Sequence, residues 1–137
     1  MSMGDSNRII AVIAEQLGPD VRFGCEVGVF RGDTSAKLLS EFPSLFLFMV
    51  DAWAVYAADD PYRKSGDGCA KLTAEEQGEN MRAAIQATEF AQARCTVRNM
   101  TSESAARSHT QPLDFVFLDG DHTYEAVYRD LEIWHPH

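Results

Sequence analysis

The sequence is short of positive charge. Twelve Lys and Arg stand against 21 Asp and Glu, a formal net charge of −9 over 137 residues. An acidic chain repels phosphate backbones, which argues against a nucleic-acid partner and leaves small neutral or cationic molecules open. Cysteine is scarce and unpaired: Cys25, Cys69 and Cys95 are an odd count with no Cys-x-x-Cys. That argues against a disulfide framework and against a structural zinc site. Cys25 and Cys95 fall in apolar contexts and read as small core hydrophobes, while Cys69 lies in polar loop sequence. Long apolar runs are missing, and none approaches the ~20 residues of a membrane span. The first residues, Met1 to Arg8, carry no signal-peptide pattern. A cytoplasmic protein that does not enter a membrane is expected. Internal repeats, low-complexity tracts and a Gly-x-Gly-x-x-Gly turn are absent as well.

What is present is an alternation of apolar periods. Ile9, Ile10, Ile13 and Leu17 have helical spacing, with Asp5 or Ser6 to cap the start and Gly18-Pro19 to end it. Phe23 to Phe30 is an apolar run holding one charge, Glu26, and reads as a buried strand. Gly32-Asp33-Thr34-Ser35 opens a second helix that Pro43 ends. Leu45 to Val50 is a continuous apolar strand, terminated by Asp51. Ala52 to Leu72 carries turn chemistry, and a loop of this length is a binding loop, a lid or disordered. Thr73-x-x-Glu76 has capping-box spacing. It predicts a helix to about Ala91 with Met81, Ile85 and Phe90 inward. Cys95 to Arg98 is a weak strand, Thr101 to Arg107 a short helix and Leu113 to Leu118 another strand. Tyr124, Val127, Tyr128, Leu131 and Trp134 then follow helical spacing. The pattern predicts one α/β domain over residues 1–137, a parallel sheet with helices on both faces.

Two segments carry chemistry. Glu26-x-Gly28-x-x-x-Gly32 sets a carboxylate and two glycines at a strand end, and Leu118-Asp119-Gly120-Asp121-His122-Thr123-Tyr124-Glu125 sets more carboxylates at another. Open α/β sheets bind ligands there, outside the carboxyl ends of their strands. Gly28 permits a tight turn, Gly32 permits close approach of a ligand and the next helix, and the amides opening that helix suit polar groups. Two glycines alone fit an ordinary strand-to-helix turn equally well. Asp51 lies 19 residues beyond Gly32, near the spacing of about 20 at which a carboxylate holds ribose hydroxyls. Val29 and Phe30 stand where a dinucleotide turn needs glycine, so a pyrophosphate is disfavoured. A ligand with ribose and adenine but no pyrophosphate fits better.

With these motifs the chain resembles S-adenosylmethionine-dependent methyltransferases of the Rossmann-like type. The likeness is to a small-molecule O-methyltransferase-like branch with a Asp-Gly-Asp-His-x-Tyr segment after its fourth strand. It runs from about Phe23 to Trp134. The resemblance implies a Rossmann-like three-layer sandwich with a mostly parallel sheet, and S-adenosylmethionine as cofactor. It implies that Glu26, Gly28 and Gly32, with Thr34 and Ser35 of the same motif, line the methionine and ribose part. Asp51 would bind the ribose hydroxyls, Ala52 and Trp53 would lie beside the adenine, and Thr101 and Ser102 would contact it more loosely. Asp119 would face the sulfonium and a small-molecule acceptor, and the region from Asp51 to Leu72 would help form the acceptor site or a lid.

His122 titrates near neutrality and suits a general base that takes a hydroxyl proton; a histidine that merely caps or packs a helix fits as well. Asp121 suits an N-cap. Tyr124 and Tyr128 read as packing residues. Asp119 and Asp121 are oxygen ligands of the kind Mg²⁺ takes, but relatives supply further ligands after a fifth strand, so a complete metal site is not supported. Relatives continue past the four strands counted here, so the fold reads as incomplete on its C-terminal side, with an open edge. Three explanations stand side by side: a fragment of a longer chain, an edge paired in a homodimer, or a reduced domain that binds cofactor without turnover.

Overall fold

Among the described side chains of the first helix, α1 (Met3–Leu17), Ile13 is the most deeply buried apolar residue. Helix α1 stops where Gly18, at φ 85°, donates to the Ala14 carbonyl at 3.1 Å, a left-handed C-terminal cap. The computed structural model describes residues 3–55, 72–119 and 130–137. Within them follow β1 (Phe23–Val27), α2 (Asp33–Glu41), β2 (Phe46–Asp51), α3 (Ala74–Ala87), a 3-10 segment (Glu89–Arg94), β3 (Cys95–Asn99), α4 (Ser102–Ser108) and β4 (Phe115–Leu118). Residues 130–134 are helical. The long loop expected before Leu72, with Cys69, falls mostly outside the described residues. So do Asp121, His122, Tyr124 and Tyr128.

The four strands form one all-parallel sheet in the order β3-β2-β1-β4. Alternate side chains sort to two faces. Leu47 and Met49 pack with Ile13, Leu38, Leu39 and Ala84, under α1, α2 and α3. Cys25, Val27 and Val50 pack with Ala105, Ala106 and Trp134, under α4 and the 130–134 helix. This is the expected Rossmann-like arrangement of layers. Burying Leu38, Leu39, Leu45, Leu47 and Met49 almost completely contributes about 1.5–3 kcal/mol per side chain. Cys25 is fully buried, as expected of a core residue, and burial pushes its thiol up to about 12. Cys95 is half-buried against the first cluster.

Four expectations need correction. Asp5 and Ser6 lie inside α1, which starts at Met3, so neither caps it, and the Ser6 hydroxyl pairs instead with Thr34 of α2. The first strand ends at Val27 and not at Phe30, because Gly28 (φ 92°) and Phe30 (φ 56°) leave the extended region and build a turn. Helix α3 ends at Ala87; the chain then tightens into the 3-10 segment, which Gln92 kinks at φ 52°. Ile85 and Phe90 point outward, 46% and 53% exposed. The buried stripe of α3 is instead Gln77, Asn80 and Ala84, with Met81 partly buried beside it. The reason is a backbone contact. A Cβ added to Gly32 would lie 2.8 Å from the Ala84 Cα, so α2 and α3 meet too closely for a large residue at that point.

Local signals set the remaining ends. Thr73 and Glu76 form the expected capping box at α3. Helix α2 ends at Glu41; its C-cap Phe42, at φ −118° and ψ 88°, has left the helical region, as a residue before proline is biased to do. Arg94 donates to the carbonyls of Leu39, Phe42 and Leu45 at 3.2–3.3 Å, closing that end with a cation. At the amino end of β1, one Asp114 oxygen accepts the amides of Arg22 and Phe23, each at 3.0 Å.

Candidate functional site

Strand order reverses between β1 and β4. β1 runs on through α2 to its neighbour β2, while β4, on its other side, is reached through β3 and α4. Open α/β sheets bind ligands at such a switch, at the strands' carboxyl ends. The ladder continues past the regular strands there: Gly28 donates to the Val50 carbonyl at 2.8 Å, and Asp119 donates through its amide to the Val27 carbonyl at 2.7 Å. The register therefore sets Asp51 and Asp119 on either side of Gly28, with Glu26 two residues back on the same strand. Three carboxylates meet at one end of one sheet.

Glu26 is 1% exposed and accepts a hydrogen bond from the Ser35 hydroxyl. Burial pushes its carboxyl up from 4.5 to about 8. The Ser35 hydroxyl opposes this, and the negative charges of Asp119 and Asp51 add to it. At neutral pH this group holds its proton. A buried carboxyl of this kind takes up its charge when a cation comes beside it.

Asp51 is half-buried, and burial raises its pKa against the pull of the Phe30, Trp53 and Val29 amides. Its Oδ2 accepts from the Phe30 amide at 2.9 Å and its Oδ1 from the Trp53 amide at 2.8 Å. These two bonds use two of the roughly four acceptor directions of the carboxylate, and the Val29 amide pulls on it as well. Trp53 is 7% exposed, packed in the first core cluster, and its Nε1 donates to the Phe30 carbonyl at 2.8 Å. Ala52 is half-buried between them in sequence.

The other candidates divide. Gly28, at φ 92°, and Gly32, at φ 85°, both adopt left-handed backbone, and Gly32 is the N-cap of α2 with no side-chain cap. The close approach that Gly32 allows is to α3, across the loop. Ser35 serves Glu26, whereas the Thr34 hydroxyl meets Ser6 of α1 at 2.7 Å. Thr101 caps α4 by accepting from the Ser104 amide at 3.1 Å. Ser102 accepts from Trp134 Nε1 at 2.8 Å, which pins the 130–134 helix to α4. Thr34, Thr101 and Ser102 thus have structural partners, while Glu26, Ser35, Asp51 and Asp119 surround the switch point.

Sequence reasoning did not find the polar belt behind this site. Arg31 donates to Asn80 at 3.0 Å, Asn80 to Gln77 at 3.4 Å, and Gln77 to the Ala54 carbonyl at 3.0 Å. These bonds tie the loops after β1 and β2 to α3. The available signal was Gln77 and Asn80 at i, i+3 on a helix whose apolar residues follow no clean stripe. Among the described residues no cluster of three His, Cys, Asp or Glu is placed to hold a metal ion. No helix among them is long and apolar enough to cross a membrane.

A parallel sheet of this order, with helices on both faces and its carboxylates at the switch point, defines a Rossmann-like α/β domain. The chain belongs to a methyltransferase family: the family model described as a methyltransferase domain matches residues 25–137, everything from within β1 onward. The chemistry of that family is methyl transfer. No curated protein sequence matches the chain.

Proposed function

We propose that this protein transfers a methyl group from S-adenosylmethionine to the oxygen of a small-molecule acceptor. The observation that carries the reading is the Asp51 carboxylate, held by two backbone amides beside the Gly28 turn at the switch point. Its remaining acceptor directions suit a pair of vicinal hydroxyls, the chemistry of a ribose. The donor set fits the rest of the cofactor too: Asp51 and Asp119 lie beside Glu26, a carboxyl that ionises when a cation comes beside it, and this cofactor carries an ammonium and a sulfonium. When bound, S-adenosylmethionine supplies an electrophilic methyl group on a cationic sulfur.

The residues of the chain bind and orient. Glu26 meets the positive charge and gives up its proton as it does so. Asp119, beside Gly28 on the β4 side, faces the acceptor. His122 takes the acceptor's hydroxyl proton as the methyl group moves. Most of the acceleration comes from holding acceptor and donor in line.

The test is calorimetric titration of the chain with S-adenosylmethionine, S-adenosylhomocysteine and NAD, repeated on Asp51→Ala. Saturable binding of the first two, lost in the variant and not competed by NAD, supports the reading. Absence of binding by the folded chain overturns it. Binding with no methyl transfer to any of a panel of hydroxylated acceptors favours a cofactor-binding module without turnover.

A further inference from the structure

Phe30 and Trp53 both sit in left-handed backbone, at φ 56° and 41°. A bulky residue there costs about 1–2 kcal/mol and persists only when its surroundings hold it. What holds these two is a closed ring of hydrogen bonds. The Phe30 amide donates to Asp51 Oδ2 at 2.9 Å, the Trp53 amide to Asp51 Oδ1 at 2.8 Å, and Trp53 Nε1 to the Phe30 carbonyl at 2.8 Å. The ring joins the loop after β1 to the loop after β2. Its two amides take different oxygens of one carboxylate, which fixes the plane of that carboxylate and so the direction of the acceptor sites left over.

The indole is the anchor. Trp53 is buried with Val29, Met49 and Ala84, so its ring does not swing freely. Phe30 is exposed on the loop after β1, and the bonds to it run through its backbone. Without the indole N–H, the Phe30 carbonyl loses its partner and the strained turn is free to relax, taking the Phe30 amide away from Asp51.

We infer that Trp53 is a positioning residue, whose indole N–H acts through the Phe30 carbonyl to aim the Asp51 carboxylate at the ribose of the cofactor. The inference rests on the S-adenosyl cofactor proposed above.

A double-mutant cycle separates the two claims. S-adenosylhomocysteine is titrated calorimetrically into the wild type, Trp53→Phe, Asp51→Asn and the double variant, with thermal melting as the check on folding. Trp53→Phe is expected to weaken binding about tenfold in the wild type and less than twofold once Asp51 is already altered. Equal losses in both backgrounds would overturn the positioning role and leave the cofactor reading standing. No binding to the folded wild type overturns both. A second readout needs neither ligand nor Trp53→Phe. The Phe30 and Trp53 amides take different oxygens of Asp51, and in asparagine one of those positions is an NH2 group, a donor facing an amide donor. In Asp51→Asn the Trp53 indole N–H resonance is therefore expected to shift and to exchange with solvent at least tenfold faster. An unchanged resonance and exchange rate would sink the inference.

Discussion

Strand β1 is tied at both ends by an aspartate that accepts two backbone amides, and the two ties differ in kind. At the amino end, one oxygen of Asp114 takes the amides of Arg22 and Phe23, neighbours in sequence, on the exposed side of the molecule. At the carboxyl end, the two oxygens of Asp51 take amides from two different loops, both from residues in left-handed backbone. The first tie fastens a strand. The second sets a carboxylate in a fixed plane, next to two other acids. The glycines repeat the contrast: Gly18 and Gly32 share φ 85°, but a Cβ on Gly18 would meet nothing within 4 Å and one on Gly32 would meet the backbone of α3. Strain, burial and like charge gather at one end of the sheet, where functional sites store them.

The largest effect expected from this asymmetry is on stability against pH. Glu26 titrates at about 8 in the folded chain, against an ordinary value of 4.5. Between these values the folded state holds one proton more than the unfolded state. Stability therefore falls as pH rises through the window from 4.5 to 8, by up to about 1.4 kcal/mol per pH unit, and levels off above it. Glu26→Gln has no proton to lose there. Urea unfolding at pH 5.5 and pH 8 is expected to show the wild type losing stability over that interval and the variant losing much less. Parallel curves would mean that Glu26 ionises freely in the folded chain.

Next in size is the glycine pair. Gly32→Ala adds a 2.8 Å backbone contact to an unfavourable φ, and a cost of about 3 kcal/mol is expected. Gly18→Ala carries the same φ without the contact, and about 1 kcal/mol is expected. Denaturant midpoints of the two variants measure the difference. Equal losses would show that α3 yields at Ala84.

The elements were legible where one local cause dominates. Pro43, Gly18 and the Thr73–Glu76 capping box each fixed an end, and the apolar runs before Asp51 and Asp119 were strands. Placing Asp51, Glu26 and Asp119 together needed only strand ends and parallel topology. The failures share one cause, which is contact between segments distant in sequence. Ile85 was expected inward by its hydrophobicity, but the approach of Gly32 to Ala84 set the facing stripe of α3 by size. Phe30 read as the end of a strand, because nothing nearby in sequence announces a left-handed Phe; Asp51 and Trp53 hold it from 21 and 23 residues away.

The smallest effects bear most directly on function, because the two aspartates are chemically alike. Asp114→Asn weakens two exposed amide bonds, and a stability loss of about 1 kcal/mol is expected, with S-adenosylhomocysteine affinity within twofold of the wild type. Asp51→Asn also disturbs two amide bonds, so its stability loss should be similar. It removes besides a charged acceptor at the switch point, and affinity is expected to fall about tenfold, near 1.4 kcal/mol. Paired urea and calorimetric measurements on both variants decide the matter. Matching losses of stability with unequal losses of affinity make the carboxyl end of β1 a binding site built from a structural tie. If affinity falls equally in both, it follows stability alone, and the distinction between the two ends fails.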